Sequence, residues 1–323
     1  MGTDKPGDIA YLTRLAPCKI GIITAISPAH LEFFKSFEEY EDEKKEMFHH
    51  LSPTSIAVIN ADDPLLLKEK EGLHTQVLTY GSTVGADVSI NSFKEDCAFL
   101  NGKISSGISF HVVYKSEKCL VELPFIFGRH AMSSVLPAIA VGTIYEIPLA
   151  TISKSLKKYS TPKERMRLVP GMKKTLIIDD TYNSSPKAAK VALDTLQGCQ
   201  IDEGARRIAV LGDMCELGVF AKKEHEEVGR YVAQKNIDML ITVGREAKDI
   251  ALGAREAGLD TNSVLSFDDA PSTQKQLQDL LRKGDVILVK GSQAVRLEKI
   301  VEAIMEEPDK VQELLVRQEK EWK

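Results

Sequence analysis

Leu176 to Pro186, LIIDDTYNSSP, joins an apolar β-forming run (Leu176, Ile177, Ile178) to two acids and a polar segment, Thr181 to Ser185, that leads through Pro186 into a helical pattern. A strand that stops in carboxylates and turns into a helix is how an α/β sheet presents side chains at its C-terminal edge, where such folds bind ligands. Asp180, Tyr182 and Asn183 are therefore the first site candidates. An ordinary βα loop with an Asx or Ser cap fits the same stretch.

Outward from this stretch, the second half of the chain alternates regularly. Strand patterns at 207–211, 238–243, 263–267 and 285–289 are spaced by helical patterns at 186–196, 222–236, 247–257 and 272–281, with a last helix through Met305. That alternation predicts a doubly wound parallel sheet. The tail carries Val311, Leu314, Leu315, Gln318 and Trp322 at helical spacing and is expected to pack back on the body.

The first half reads differently. Residues 19–26, KIGIITAI, form an apolar run of strand length, as expected for a parallel strand covered on both faces, and 55–64 read as a second strand. Between them lies a polar helix with Tyr40, Met47, Phe48 and Leu51 on its apolar side, where Lys44 and Lys45 read by default as a solvated face. From about Thr75 to Pro124 short alternating strands joined by Gly-containing turns predict an antiparallel edge or insertion. Helices over 128–145 and 149–159 follow, and the domain boundary is placed in the polar segment 160–167.

At 323 residues the chain is long enough for about two domains. A net charge of -5 gives no electrostatic case for nucleic acid, and no apolar run approaches the roughly 20 residues of a membrane span, so a cytoplasmic protein is expected. Five scattered cysteines without Cys-x-x-Cys pairs read as reduced thiols. The strand-end segment IAVLGDMCELG lacks the G-x-G-x-x-G turn of a dinucleotide site, and no G-x-x-x-x-G-K-[ST] phosphate loop occurs in the chain.

The segments PAHLEFF, Lys44 to Phe48, VINADDP, ERM with LIIDDTYNSSP, VLGDMCELG and VKGS resemble, in order and spacing, the Mur ligases, nearest to their MurF branch. The resemblance covers essentially the whole chain. It implies an incomplete central ATPase-type α/β domain, 1–160, followed by a Rossmann-like C-terminal domain, 161–323. The implied activity is ATP- and Mg²⁺-dependent amide ligation through an acyl phosphate, joining D-alanyl-D-alanine to UDP-N-acetylmuramoyl-tripeptide in peptidoglycan synthesis.

By position, His30 matches the histidine that ligates a second magnesium, and Lys44 the lysine that relatives carbamylate to make a further metal ligand. Arg165 matches a phosphate-contacting arginine. Asp180, Tyr182 and Asn183 fall in the nucleotide-holding segment. Lys290 and His225 are better explained by salt bridging and helix capping.

Two departures stand out. Ala131 and Ser134 occupy places where relatives carry asparagines near adenine. The family's UDP-binding domain and phosphate loop have no counterpart here, which predicts an open sheet edge and little or no ligase activity without a separate fragment carrying them. A non-catalytic binding scaffold, or an amide ligase for another substrate, are the competing readings.

Overall fold

The computed structural model describes residues 1–26, 33–83 and 85–317. The chain divides into two compact units, Met1–Glu95 with Ser106–Tyr159, and Asp96–Ser105 with the chain from Ser160 onward.

In the first unit, helix α1 (Asp8–Leu15) precedes strand β1 (Ile20–Ile23), α2 (Phe37–His49), β2 (Ile56–Asn60), α3 (Pro64–Leu67) and β3 (Gln76–Gly81). β1, β2 and β3 are parallel neighbours. The chain then runs through β4 (Val88–Leu100), β5 (Lys103–Tyr114) and β6 (Glu117–Pro124), the last two antiparallel, into α4 (Met132–Ile144) and α5 (Leu149–Leu156). Alternation along β2 explains the two cores. Val58 packs with Phe110, Val135 and Ile139 on the face of α4, and Ala57 and Ile59 with Tyr40 and Phe48 of α2 on the other. Within α4, Pro137 is buried among apolar neighbours.

β1 ends the sheet among the described residues. Ile22 and Thr24 form an open groove there with Ser134, Pro137 and Val141 of α4. An open edge was implied by the resemblance. The tip of the long β4–β5 hairpin was not anticipated: residues 96–105 group with the second unit, where Ala98 and Phe99 pair with β9 (Gln200–Ile201).

The second unit is built on β7 (Arg167–Gly171), β8 (Thr175–Asp180), β10 (Arg207–Gly212), β11 (Met239–Val243), β12 (Val264–Phe267) and β13 (Val286–Lys290). Their spatial order is β12-β11-β10-β13-β8-β7. Helices α6 (Pro186–Gly198), α7 (Ala221–Ala233), α8 (Ala247–Glu256), α9 (Ala270–Leu280), α10 (Glu298–Ile304) and the single turn α11 (Val311–Leu314) complete it. The predicted parallel strands are all present, but β7 is an added antiparallel edge paired with β8. A segment with Pro170 is well suited to such an edge, where one face of backbone donors goes unused.

The chain returns from the outer strand β12 to insert β13 between β8 and β10. That crossover brings the carboxyl ends of β8, β13 and β10 side by side, where open α/β sheets bind ligands.

α7 and α8 meet through glycines. A Cβ on Gly253 would lie 2.2 Å from the Glu226 carbonyl oxygen, and one on Gly229 2.0 Å from that of Ile250. Gly253→Ala is expected to destabilise the fold by about 2 kcal/mol, overpacking outweighing the better helix propensity of alanine. Urea denaturation checks this, and an unchanged midpoint would mean that the helices separate freely.

Candidate active site

Strand β8 runs longer than its sequence pattern predicted, so that both acids lie inside it and both are buried, Asp179 fully and Asp180 at 7% exposure. They point to opposite faces of the sheet. Asp180 is in register with Lys290 at the end of β13, and the two form a buried ion pair with Lys290 Nζ 2.7 Å from Asp180 Oδ2. Lys290 also donates to the Asn183 carbonyl at 2.8 Å. The salt bridging read for Lys290 from sequence is thus what the structure has, and it ties the start of the Thr181–Ser185 loop to the sheet.

The other Asp180 oxygen, Oδ1, accepts from the Met166 amide at 3.2 Å. Both oxygens of Asp180 are therefore engaged by protein, and its place is beneath the site. What reaches solvent is Arg165, whose guanidinium lies 4.1 Å from the centroid of the Tyr182 ring, with Tyr182 and Asn183 also exposed. Such stacking holds a cation in place and leaves its in-plane donors free for an anion. The residues on either side of Arg165, Glu164 and Met166, adopt left-handed φ values of 58° and 50°. Side chains avoid that region at a cost of about 1 kcal/mol or more each, so strong anchors have to hold them there.

Two neighbouring loops are locked together at the same sheet edge. In VLGDMCELG, Asp213 accepts from the Ala247 amide at 2.6 Å and so caps α8, while its own carbonyl accepts from Ser292 of VKGS. The Cys215 amide donates to the Ser292 hydroxyl at 2.9 Å. His225, read as a capping or salt-bridging residue, accepts from the Met214 amide at 2.9 Å through Nε2, and its Nδ1 contacts the Ala221 carbonyl at 2.7 Å, so the ring braces this loop.

Burial dominates the electrostatics. It pushes the Asp179 carboxyl up to about 8, against the pull of the Thr181 hydroxyl and with further help from the Glu164 and Asp180 charges. Asp179 Oδ1 accepts from Thr181 Oγ1 at 2.8 Å, while Oδ2 has no protein partner. Burial also raises Glu164.

In the first unit, Lys44 is half-buried on α2, its ammonium 5.2 Å from the Tyr40 ring centroid. Desolvation lowers its pKa, partly offset by Glu43 and Asp4. Glu43 is buried and accepts from the Gly7 and Ile9 amides, both at 2.7 Å, capping α1 from a distance. The carboxyl end of β1 is held by Asn60, which donates to the Thr24 carbonyl at 2.8 Å, and by Asp63, which accepts from the Ile26 amide at 3.1 Å. His30 lies outside the described residues. Among those described, no group of three or more His, Cys, Asp or Glu is placed to hold a metal ion. The exposed Arg165 guanidinium is suited to an anion.

The structure brings Arg165, Asp180, Tyr182 and Asn183 into one site, and Lys44 belongs to the other unit. Sequence reading missed Asp179, Glu164, Glu298 and Arg317, all buried. The doubled acid after Ile178 was a local signal for the first of these. Glu164 and Arg317 are charged residues whose partners lie far along the chain, and Glu298 meets Arg317 besides its neighbour Arg296.

A two-unit α/β architecture with a cationic loop at the switch point of its second sheet agrees with the family models: the Mur ligase middle domain matches residues 1–142 and the Mur ligase glutamate ligase domain residues 164–293. The chain belongs to the Mur ligase family. Within it, the chain is 27% identical over 308 residues to the UDP-N-acetylmuramoyl-tripeptide–D-alanyl-D-alanine ligase of Bacillus subtilis, covering 95% of this chain and 64% of the relative. It is 30% identical to the Synechocystis ligase of that name, over 93% and 61%. The crystal structure of Thermotoga maritima MurF in complex with ADP superposes with a TM-score of 0.77 at 25% identity, over 95% of this chain and 66% of that one. The chain thus spans under two thirds of the length of these relatives.

Proposed function

We propose that this chain serves an ATP-dependent amide ligase of the MurF kind, which joins D-alanyl-D-alanine to UDP-N-acetylmuramoyl-tripeptide through an acyl phosphate. The observation that supports this most is the exposed Arg165 guanidinium, stacked on Tyr182 at the carboxyl edge of β8. Its planar donors suit phosphate oxygens, on which charge accumulates in phosphoryl transfer. Bound ATP and Mg²⁺ would supply the phosphoryl group and neutralise its charge. Arg165 would bind and orient the phosphates, Tyr182 would hold Arg165 in place, and Lys290 with Asp180 would keep the loop fixed. Lys44 has a lowered pKa and hence a larger neutral fraction, which formation of a carbamate on its amine requires.

Because no G-x-x-x-x-G-K-[ST] phosphate loop occurs in the sequence, turnover is expected only when a polypeptide bearing one is supplied. The test is ADP release that depends on both the tripeptide and the dipeptide substrates. Arg165→Ala should lower kcat/KM about 100-fold. The absence of both turnover in the mixture and ADP binding by the chain would overturn this reading. ADP binding without turnover would favour a nucleotide-binding scaffold.

A further inference from the structure

The chain beyond α10 folds back onto the Arg165 loop. Leu315 is buried in the core of the second sheet with Val169, Ile300 and Ile304. Lys163 Nζ donates to the carbonyls of Gln312 and Leu315, at 2.7 and 3.2 Å, and the Val316 amide donates to Glu164 Oε1 at 3.2 Å. Arg317 then enters a buried cluster. Its Nη1 lies 3.3 Å from Glu164 Oε2 and 3.3 Å from Glu298 Oε2, and Nη2 donates to the Tyr182 carbonyl at 3.4 Å. Arg296 also pairs with Glu298. Arg317 is 5% exposed, and the two carboxylates it faces are 0% and 1% exposed.

Arg165 is therefore braced on three sides. Met166, after it, is held by Asp180. The ring beneath it belongs to Tyr182, whose amide donates to the Glu164 carbonyl at 3.2 Å. Glu164, before it, is held in its left-handed conformation by Val316 and Arg317.

We propose that Arg317 is a positioning residue for Arg165, and that the segment 311–317 is a strap fixing the phosphate-facing loop from behind. This rests on the nucleotide reading above. Without the Arg317 guanidinium, Glu164 loses its counter-charge and the Tyr182 carbonyl a donor, so the two neighbours that aim Arg165 are released together. A group buried behind the loop does this without touching the nucleotide.

The test compares the affinities of the whole chain for ADP and for adenosine, by calorimetry, in the parent, Arg165→Ala, Arg317→Ala, Arg317→Lys and the Arg165→Ala/Arg317→Ala double variant. Arg317→Ala should weaken ADP binding about tenfold, the size of one charge-assisted contact, and leave adenosine binding unchanged. The double variant should bind ADP no more weakly than Arg165→Ala alone, because Arg317 acts through Arg165. Arg317→Lys keeps the charge but loses the fork. It should fall between parent and alanine variant, and it decides the matter if the alanine variant does not fold. A role in stability alone would lower the melting temperature while leaving the ratio of the two affinities at the parent value, and that result overturns the proposal. If Arg165→Ala leaves ADP binding unchanged, the nucleotide reading fails first and the positioning role falls with it.

Discussion

Lys290→Met is expected to cost about 3–5 kcal/mol of stability, because it leaves the Asp180 carboxylate buried without a counter-charge. The ammonium and carboxylate are 2.7 Å apart, with side chains 2% and 10% exposed, so water does little to screen the loss. Removing both charges is expected to cost much less. In Lys290→Met/Asp180→Asn, the asparagine carbonyl still accepts from Met166, and no uncompensated ion remains. Urea denaturation of the two single variants and the double variant at pH 7 measures the coupling. A single-variant cost below about 1 kcal/mol would mean that water reaches Asp180 and that the pair does not organise the sheet edge. ADP affinity should fall in the single variant, since Lys290 also holds the Asn183 carbonyl.

A second large effect is expected at Asp179. Its folded pKa stands at about 8, above the ordinary value of 3.8, so the folded state holds a proton that the unfolded state has already released across that interval. The stability associated with this group is therefore fully present below about pH 4 and is lost as the pH rises through about 8. Asp179→Asn removes the titration. Near pH 5 the variant should be nearly as stable as the parent, and by pH 9 it should be the more stable by a few kcal/mol, with roughly 4 kcal/mol as the upper limit. Glu164 is raised in the same sense in both proteins, so the informative quantity is the difference between them at each pH. A constant difference from pH 5 to pH 9 would show that Asp179 is ionised throughout, through a water on Oδ2 or otherwise.

Much of the architecture was legible in the chain. Apolar runs of strand length alternating with amphipathic helices announced the second sheet, and the change of pattern near Thr75 announced the antiparallel β5–β6 pair, although β3, read as part of the same antiparallel edge, is a parallel strand of the sheet. Arg165, Tyr182 and Asn183 stand in local motifs at a strand end, which is why they were found. Three features escaped the sequence reading. β7 carries a proline and few apolar residues, so its pairing with the adjacent β8 left no strand pattern. The β4–β5 tip pairs with a strand of only two residues, and the burial of Asp180 rests on Lys290, both partners remote in sequence.

The sequence by itself determined the two α/β units and the edge at which the second presents its loops, because periodicity and turn chemistry are properties of short stretches, and its ordered motifs carried the resemblance to the Mur ligases. Tertiary structure alone decided which charges are buried and what holds them. Lys290 is 110 residues from Asp180, and Arg317 is 135 residues from the Tyr182 carbonyl it meets. Asp179 becomes a proton-holding group only once the sheet closes over it. The charge state of a carboxylate and the aim of an arginine are set by the dielectric and the partners around them, and those exist only after distant segments have packed.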